Sequence, residues 1–245
     1  MNLLIDIGNC SIKWACYGAA LERTTTAPLV SPLAGHLAEA WDNLPSPQGV
    51  FISNVAGQAV ADEIVNYCRG RWSLSPVFMT VTRDCNGLVN GYVETGQLGV
   101  DRWLALLAGW TRHKTNLCVV DCGSAVTLDL VLASGRHLGG YIIPGAFMMQ
   151  EMLIRNTSGI RAVPGGPAGT GPGDSTRACL RNGTYFAVAA FIDRVVNDSH
   201  SLYADDFQCL ITGGGAAATA ELVSVPCLHE PDLVLLGIAI AAGLG

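Results

Sequence analysis

The sequence predicts a mixed α/β fold made of two domains, each a β-sheet layered with helices. Three observations lead there. Apolar runs of strand length alternate with segments of helical period along most of the chain, the pattern of sheet-and-helix layers. A strand-ending motif occurs twice: Leu3-Leu4-Ile5 runs into Asp6-Ile7-Gly8-Asn9, and Leu117-Cys118-Val119-Val120 runs into Asp121-Cys122-Gly123-Ser124. The two aspartates stand 115 positions apart in a chain of 245 residues. The expected domains are therefore 1–115 and 116–245, each of ordinary size. Half of the residues are hydrophobic and only 14% are charged, so much of the chain belongs in an interior or an interface.

Taken in order, Leu3-Leu4-Ile5 is a buried-looking strand, 12–17 is its hairpin partner, and a strand near 21–27 extends the meander. Residues 33–44 carry apolar side chains at helical spacing and stop at Pro45-Ser46-Pro47. A strand follows at 49–55, a helix at 58–69 and a further strand at 76–81. Between 84 and 102 the pattern turns irregular, which marks a long loop of functional type. Residues 103–110 are apolar all round, so that helix must be buried in a core or against another subunit. The second domain repeats the opening with strands at 117–121 and 127–133, followed by Gly139-Gly140-Tyr141-Ile142-Ile143-Pro144-Gly145. A helix is expected at 146–156. The Gly- and Pro-rich stretch 159–173 suits a mobile loop or lid. Asp174-Ser175-Thr176 can cap a helix, and 184–197 reads as another, apolar helix. A strand at 208–211 runs into Gly213-Gly214-Gly215, and 231–242 closes the chain as a helix.

The net charge of −6 and the scattered arginines argue against nucleic acid as a partner, since no basic block is present to neutralise a phosphate backbone. Met1-Asn2 carries no positive segment, Asp6 interrupts the first apolar stretch, and the late apolar run 233–245 is short of a membrane span. A cytoplasmic protein with no membrane partner is expected. The nine cysteines never form Cys-x-x-Cys, which favours reduced core thiols over disulfides or zinc. His36, His113, His137, His200 and His229 lack ligand spacing and read as surface or capping residues.

The chemistry concentrates in Asp6-Ile7-Gly8-Asn9-Cys10-Ser11-Ile12-Lys13. Gly8 lets the backbone turn and leaves room for a phosphate, while Asn9, Ser11 and the backbone N–H groups can donate to it. Asp6 is placed to hold Mg²⁺ or its water, because that hard cation takes carboxylate and phosphate oxygen together. Lys13, one of two lysines in the chain, can meet an outer phosphate. Each of these residues also has a structural reading: Asp-x-Gly-Asn suits an ordinary hairpin turn. Asp101 and Thr176 suit helix caps, Tyr92 a loop anchor, Asp121 a strand end, and 213–215 a tight turn.

Taken together, Asp6-x-Gly8-Asn9, Gly99-x-Asp101-Arg102, Asp121-x-Gly123-Ser124-Ala125-x-Thr127 and Gly139-Gly140-x-Ile142-x-Pro144-Gly145 resemble the type III pantothenate kinases, in the acetate and sugar kinase/Hsp70/actin superfamily. The likeness spans nearly the whole chain. It implies duplicated ribonuclease-H-like (actin-like ATPase) domains with mixed sheets flanked by helices. It also implies ATP-dependent phosphorylation of pantothenate at the first step of coenzyme A synthesis, and a homodimer with its sites near the interface.

By that resemblance Asp6, Ile7, Gly8, Asn9, Cys10, Ser11, Ile12 and Lys13 form the first ATP-phosphate motif, with Mg²⁺ reaching Asp6 through ATP, and Ser124 contacts ATP from the second. Asp121 holds a monovalent cation, K⁺ or NH₄⁺. Tyr92, Gly99, Val100, Asp101, Arg102 and Thr176 bind pantothenate, Thr176 across the dimer, and Asp101 is the catalytic base. The family usually carries Thr or Ser where this chain has Cys10, and a thiol is a poor hydrogen-bond donor. Two other readings remain: a regulatory protein associated with transcription on the same fold, and a kinase for another small hydroxy acid.

Overall fold

The structure, a computed structural model, describes residues 1–30, 37, 40–161, 169, 171–203 and 205–244. They form two compact units, 1–111 with 232–245, and 112–231.

The first unit is built on a five-stranded sheet of order β3-β2-β1-β4-β5, from Asn2–Ile7 (β1), Ser11–Tyr17 (β2), Thr25–Pro28 (β3), Val50–Asn54 (β4) and Val77–Phe78 (β5). β1 runs antiparallel to β2 and parallel to β4. Leu3, Leu4 and Ile5 are all fully buried, so β1 is covered on both faces, which is why it reads as a continuous apolar run. One face packs on Trp41, on Ile64 and Trp72 of the helix Gln58–Trp72 (α1), and on Trp14. Trp41 lies within 5.8 Å of the Trp14 ring centroid and 6.3 Å of that of Trp72. A short hairpin, Asp84–Cys85 (β6) with Leu88–Val89 (β7), and a 3₁₀ turn at Thr95–Gln97 lead into the helix Val100–His113 (α2).

The second unit repeats the plan. Its sheet has the order β10-β9-β8-β11-β12, from Leu117–Cys122 (β8), Ala125–Val131 (β9), His137–Pro144 (β10), Gln208–Thr212 (β11) and Cys227–His229 (β12). β8 is antiparallel to β9 and parallel to β11, so both sheets share one topology, three meandering strands followed by two parallel ones. The helices are Ala146–Asn156 (α3), Thr176–Tyr203 (α4) and the short Ala216–Ala220 (α5). Val188, Ile192, Val195 and Val196 of α4 bury the face of the sheet that carries Cys118, Val120, Leu128 and Ile211. The last helix, Leu233–Ala241 (α6), belongs to the first unit and packs on β1, β2 and β4.

Several sequence expectations change here. A cut at 115/116 assigns the C-terminal residues to the second domain, but Asp232–Gly245 joins the first unit, because the apolar α6 covers the second face of β1. The helix expected at 184–197 and the one opening at 174–176 are a single helix of 28 residues. Gly183 interrupts nothing: no proline accompanies it, and one interior glycine costs a helix only about 1 kcal/mol. The strand expected at 76–81 is paired only at Val77–Phe78, and the irregular stretch 84–102 contains the β6–β7 hairpin and the first residues of α2. His137 is buried, not on the surface, and its Nε2 lies 3.0 Å from Asp129 Oδ1. His36, half of the expected 33–44 helix and much of the 159–173 loop lie outside the described residues. Within that loop, the Asn182 side chain of α4 holds Gly169 N–H and the Gly171 carbonyl. Among the described residues no helix is long and apolar enough to cross a membrane.

Candidate active site

In the first unit the site begins with the β1–β2 hairpin. Asp6 and Lys13 are direct cross-strand partners, and such partners project from one face of a sheet. That is the face opposite Leu3, Ile5 and Ile7. The turn between them is closed by Gly8 N–H donating to the Ser11 carbonyl at 2.9 Å, and it leaves Asn9, Cys10 and Ser11 exposed. The motif is therefore a hairpin turn and also a small exposed cradle of polar groups, so the two readings of the sequence coincide. Lys13 Nζ forms a 2.9 Å ion pair with Asp232, the N-cap residue of α6. Nothing local in the sequence pointed to Asp232, since an Asp after Pro231 reads only as a helix start.

The second element is the entry to α2. Gly99 supplies the carbonyl that accepts Trp103 N–H, so Asp101 lies inside the first helical turn and not at the cap. Asp101 is half-buried, and its Oδ1 accepts Arg102 N–H at 2.8 Å. Arg102 is buried, its Nη1 donating to the Tyr92 hydroxyl at 3.2 Å while its guanidinium carbon stands 5.8 Å from the Tyr92 ring centroid. Tyr92, Gly99, Val100, Asp101 and Arg102 are thus brought together. The residue that sequence reasoning passed over is Asn90, which is buried. Its Oδ1 accepts Tyr92 N–H at 2.9 Å, and the Arg83 guanidinium donates to the Tyr92 carbonyl at 2.7 Å. Its only sequence signal was the Asn-Gly-Tyr of an irregular stretch.

In the second unit the β8–β9 hairpin carries Asp121 opposite Thr127, with Gly123 N–H donating to the Ala125 carbonyl at 3.0 Å. Ser124 is half-exposed, and its carbonyl accepts Gly145 N–H at 2.8 Å from the start of α3. The glycine turn after β11 closes on this loop: Gly215 N–H donates to the Cys122 carbonyl at 2.8 Å, and a side chain at Gly213, whose φ is +93°, would collide with Asp121. Only glycine fits there on both counts. Asp121, Ser124 and 213–215 are therefore one structural cluster. Thr176 is exposed at the first residue of α4, and the cap is Ser175, whose Oγ accepts Ala178 N–H at 3.3 Å.

Among the described residues no group of three or more His, Cys, Asp or Glu side chains could hold a metal ion unaided. Single carboxylates beside exposed polar turns suit cations that complete their shell with phosphate oxygen and water, as Mg²⁺ does. Asp6 offers that donor chemistry in the first hairpin, and Asp121 offers it in the second.

The profile of the type III pantothenate kinase family matches residues 2–198. A type III pantothenate kinase from Nitrosococcus oceani is 35% identical, the match covering 98% of this chain and 92% of that one. Among solved structures, a protein from Campylobacter jejuni assigned to the Baf family of transcriptional activators superposes with a TM-score of 0.61 at 20% identity, over 98% and 97% of the two chains. An ADPNP-bound activator of 2-hydroxyisocaproyl-CoA dehydratase from Clostridium difficile superposes with a TM-score of 0.52 at 10% identity, over 99% and 94%. At such identities the structural likeness carries the fold alone, an actin-like ATPase fold with mixed sheets flanked by helices.

Proposed function

The chain belongs to the type III pantothenate kinase family, and from that premise we infer that it transfers the γ-phosphoryl group of ATP to the primary hydroxyl of pantothenate, yielding 4'-phosphopantothenate for coenzyme A synthesis. The observation that carries this reading at the level of residues is the Tyr92–Arg102–Asp101 arrangement at the entry to α2. Phosphoryl transfer asks a protein chiefly for positioning and charge neutralisation. Asp101 accepts the proton of the attacking hydroxyl, and the Arg102 fork, oriented by Tyr92, pairs with the substrate carboxylate. Val100 and Gly99 frame that segment, and Thr176 adds a hydroxyl contact to the pantothenate of a second subunit.

The turn 7–12 receives the ATP phosphates on backbone N–H groups and on the Asn9 and Ser11 side chains, with Lys13 on an outer phosphate. Asp6 would hold Mg²⁺ and Asp121 would hold K⁺ or NH₄⁺, and such cations would supply positive charge against the charge that builds up during transfer. The protein acts in the cytoplasm as a homodimer. Support for the dimer comes from exposed apolar side chains of the second unit: Ile142 on the sheet-edge strand β10, Phe147 and Met152 on α3 and Phe186 on α4 are each more than half exposed. Large apolar side chains left open in this way suit burial against a second copy.

The test is ADP release from ATP and pantothenate with K⁺ present, compared with Asp101→Asn. Turnover in the parent that collapses in the variant supports the assignment. Nucleotide binding without turnover in either protein overturns it.

A further inference from the structure

We propose that Cys209 and Cys227 are an oxidisable thiol pair, closed to a disulfide by a hydroperoxide and reopened by a thiol reductant. The pair lies outside the residues assigned to phosphoryl transfer, so this inference stands apart from the proposed function. Cys209 on the inner strand β11 and Cys227 on the edge strand β12 are register partners in parallel strands. Neighbouring strands lie about 4.8 Å apart, inside the range of roughly 4.4–6.8 Å between Cα atoms that a disulfide spans. The two side chains already face each other, with their sulfurs hydrogen-bonded at 3.1 Å. The approach to β12 is pinned as well, because Asp193 on α4 accepts Ser224 N–H at 2.8 Å and Val225 N–H at 3.0 Å. Closing the bond therefore needs a change of side-chain torsion more than of backbone.

The environment also assigns the order of events. Cys227 is partly exposed at the sheet edge, while Cys209 is buried beneath it. The sulfur–sulfur hydrogen bond it shares with Cys209 lowers the Cys227 thiol from its ordinary value, and the Cys209 thiol is pushed up by the same bond and by burial. The thiolate is the reactive form, so Cys227 attacks the peroxide oxygen, becoming a sulfenic acid as hydroxide leaves and takes up a proton. Cys209 then attacks that sulfur, and its proton departs with the hydroxyl as water. Two thiols are oxidised, and hydrogen peroxide is reduced to two waters. Cys118 is also in register with Cys209, on β8. Burial pushes the Cys118 thiol up to about 12, which leaves it protonated and out of the oxidant's reach.

The experiment treats the reduced full-length protein with hydrogen peroxide and follows intact mass and peptide maps. The expected result is loss of two hydrogens, a cross-link joining the Cys209 and Cys227 peptides, and reversal by dithiothreitol. A Cys10→Ser/Cys179→Ser variant, which lacks the two exposed thiols, should still close the bond, and Cys227→Ser should not. The proposal is overturned if oxygen atoms are added with no cross-link, or if the cross-link joins another pair. It is overturned equally if Cys227→Ser loses two hydrogens as readily as the parent. The peptide map of the parent decides the matter even if a variant folds poorly.

Discussion

The β1–β2 and β8–β9 hairpins occupy the same place in two sheets of identical strand order, yet they differ in charge. In the first, Asp6 faces Lys13, and the turn runs from Gly8 to Ser11. In the second, Asp121 faces Thr127, and the turn is one residue shorter, from Gly123 to Ala125. A shared topology thus puts a carboxylate at the end of the central strand twice, and the residue across from it decides what that carboxylate can do. Opposite Asp6 stands a lysine that Asp232 also holds, which places a cation between two carboxylates, whereas the hydroxyl opposite Asp121 brings no charge. The units also diverge beyond their sheets. The first inserts the β6–β7 hairpin and the entry to α2, which carries Tyr92, Asp101 and Arg102, and the second closes Gly213–Gly215 against its own hairpin. The two units thus share a sheet plan and differ in what is added to it.

The sharpest way to break this division is Asp101→Asn. Losing a general base lowers turnover by about 10²–10⁴, so kcat should collapse while the KM for pantothenate and the Tm stay close to the parent's. If kcat survives, the insertion of the first unit only binds, and the catalytic base must be sought elsewhere.

The two hairpins can then be set against each other. A hydrogen bond to a charged group contributes about 1.5–3 kcal/mol, so Lys13→Met should lower kcat/KM for ATP about tenfold to a hundredfold. Thr127→Val, at the matching cross-strand position, should have a much smaller effect on the same quantity in saturating K⁺. Asp232→Asn removes the carboxylate that holds Lys13 at 2.9 Å. It should change the KM for ATP with kcat little altered. Equal losses in Lys13→Met and Thr127→Val would mean that the charge difference between the hairpins has no functional weight.

A further substitution bears on the assignment of α6 to the first unit. Gly237 of α6 lies so close to the Leu104 carbonyl of α2 that a Cβ there would collide with it. Overpacking of a core costs about 1–3 kcal/mol, so Gly237→Ala should lower the Tm by several degrees. Hydrogen exchange should quicken in β1 and α2 before it does in β8–β12. Uniform loosening of both units would contradict the placement of α6 with the first.

How much of this was legible in the sequence depended on distance along the chain. The Asp-x-Gly hairpins and the helix 146–156 were readable because their strands, turns and ends are set by adjacent residues. The paired segments Asp84–Cys85, Leu88–Val89 and Cys227–His229 are too short to show a period of two, and tertiary pairing makes them strands. The Lys13–Asp232 ion pair joins opposite ends of the chain, and the burial of His137 depends on a carboxylate on the neighbouring strand. Neither leaves a local trace. For the candidate site, the family resemblance named Tyr92, Asp101 and Arg102, which by type and spacing alone read as a loop anchor and a helix start, but it did not name Asn90, whose buried amide holds Tyr92 in place.

The smallest expected effect lies in the turn of the first hairpin. Cys10 is exposed beside Asn9 and Ser11, and its thiol is a weak donor toward a phosphate. Cys10→Ser puts a hydroxyl there at nearly the same size. A neutral hydrogen bond is worth about 0.5–1.5 kcal/mol, so the KM for ATP should fall about twofold to tenfold with kcat unchanged. The reciprocal change in the second hairpin, Ser124→Cys, should raise it over a similar range. If Cys10→Ser leaves the KM where it was, the turn 7–12 engages phosphate through its backbone N–H groups. The side chain at position 10 is then free to vary, and the first hairpin would differ from the second through Lys13 alone.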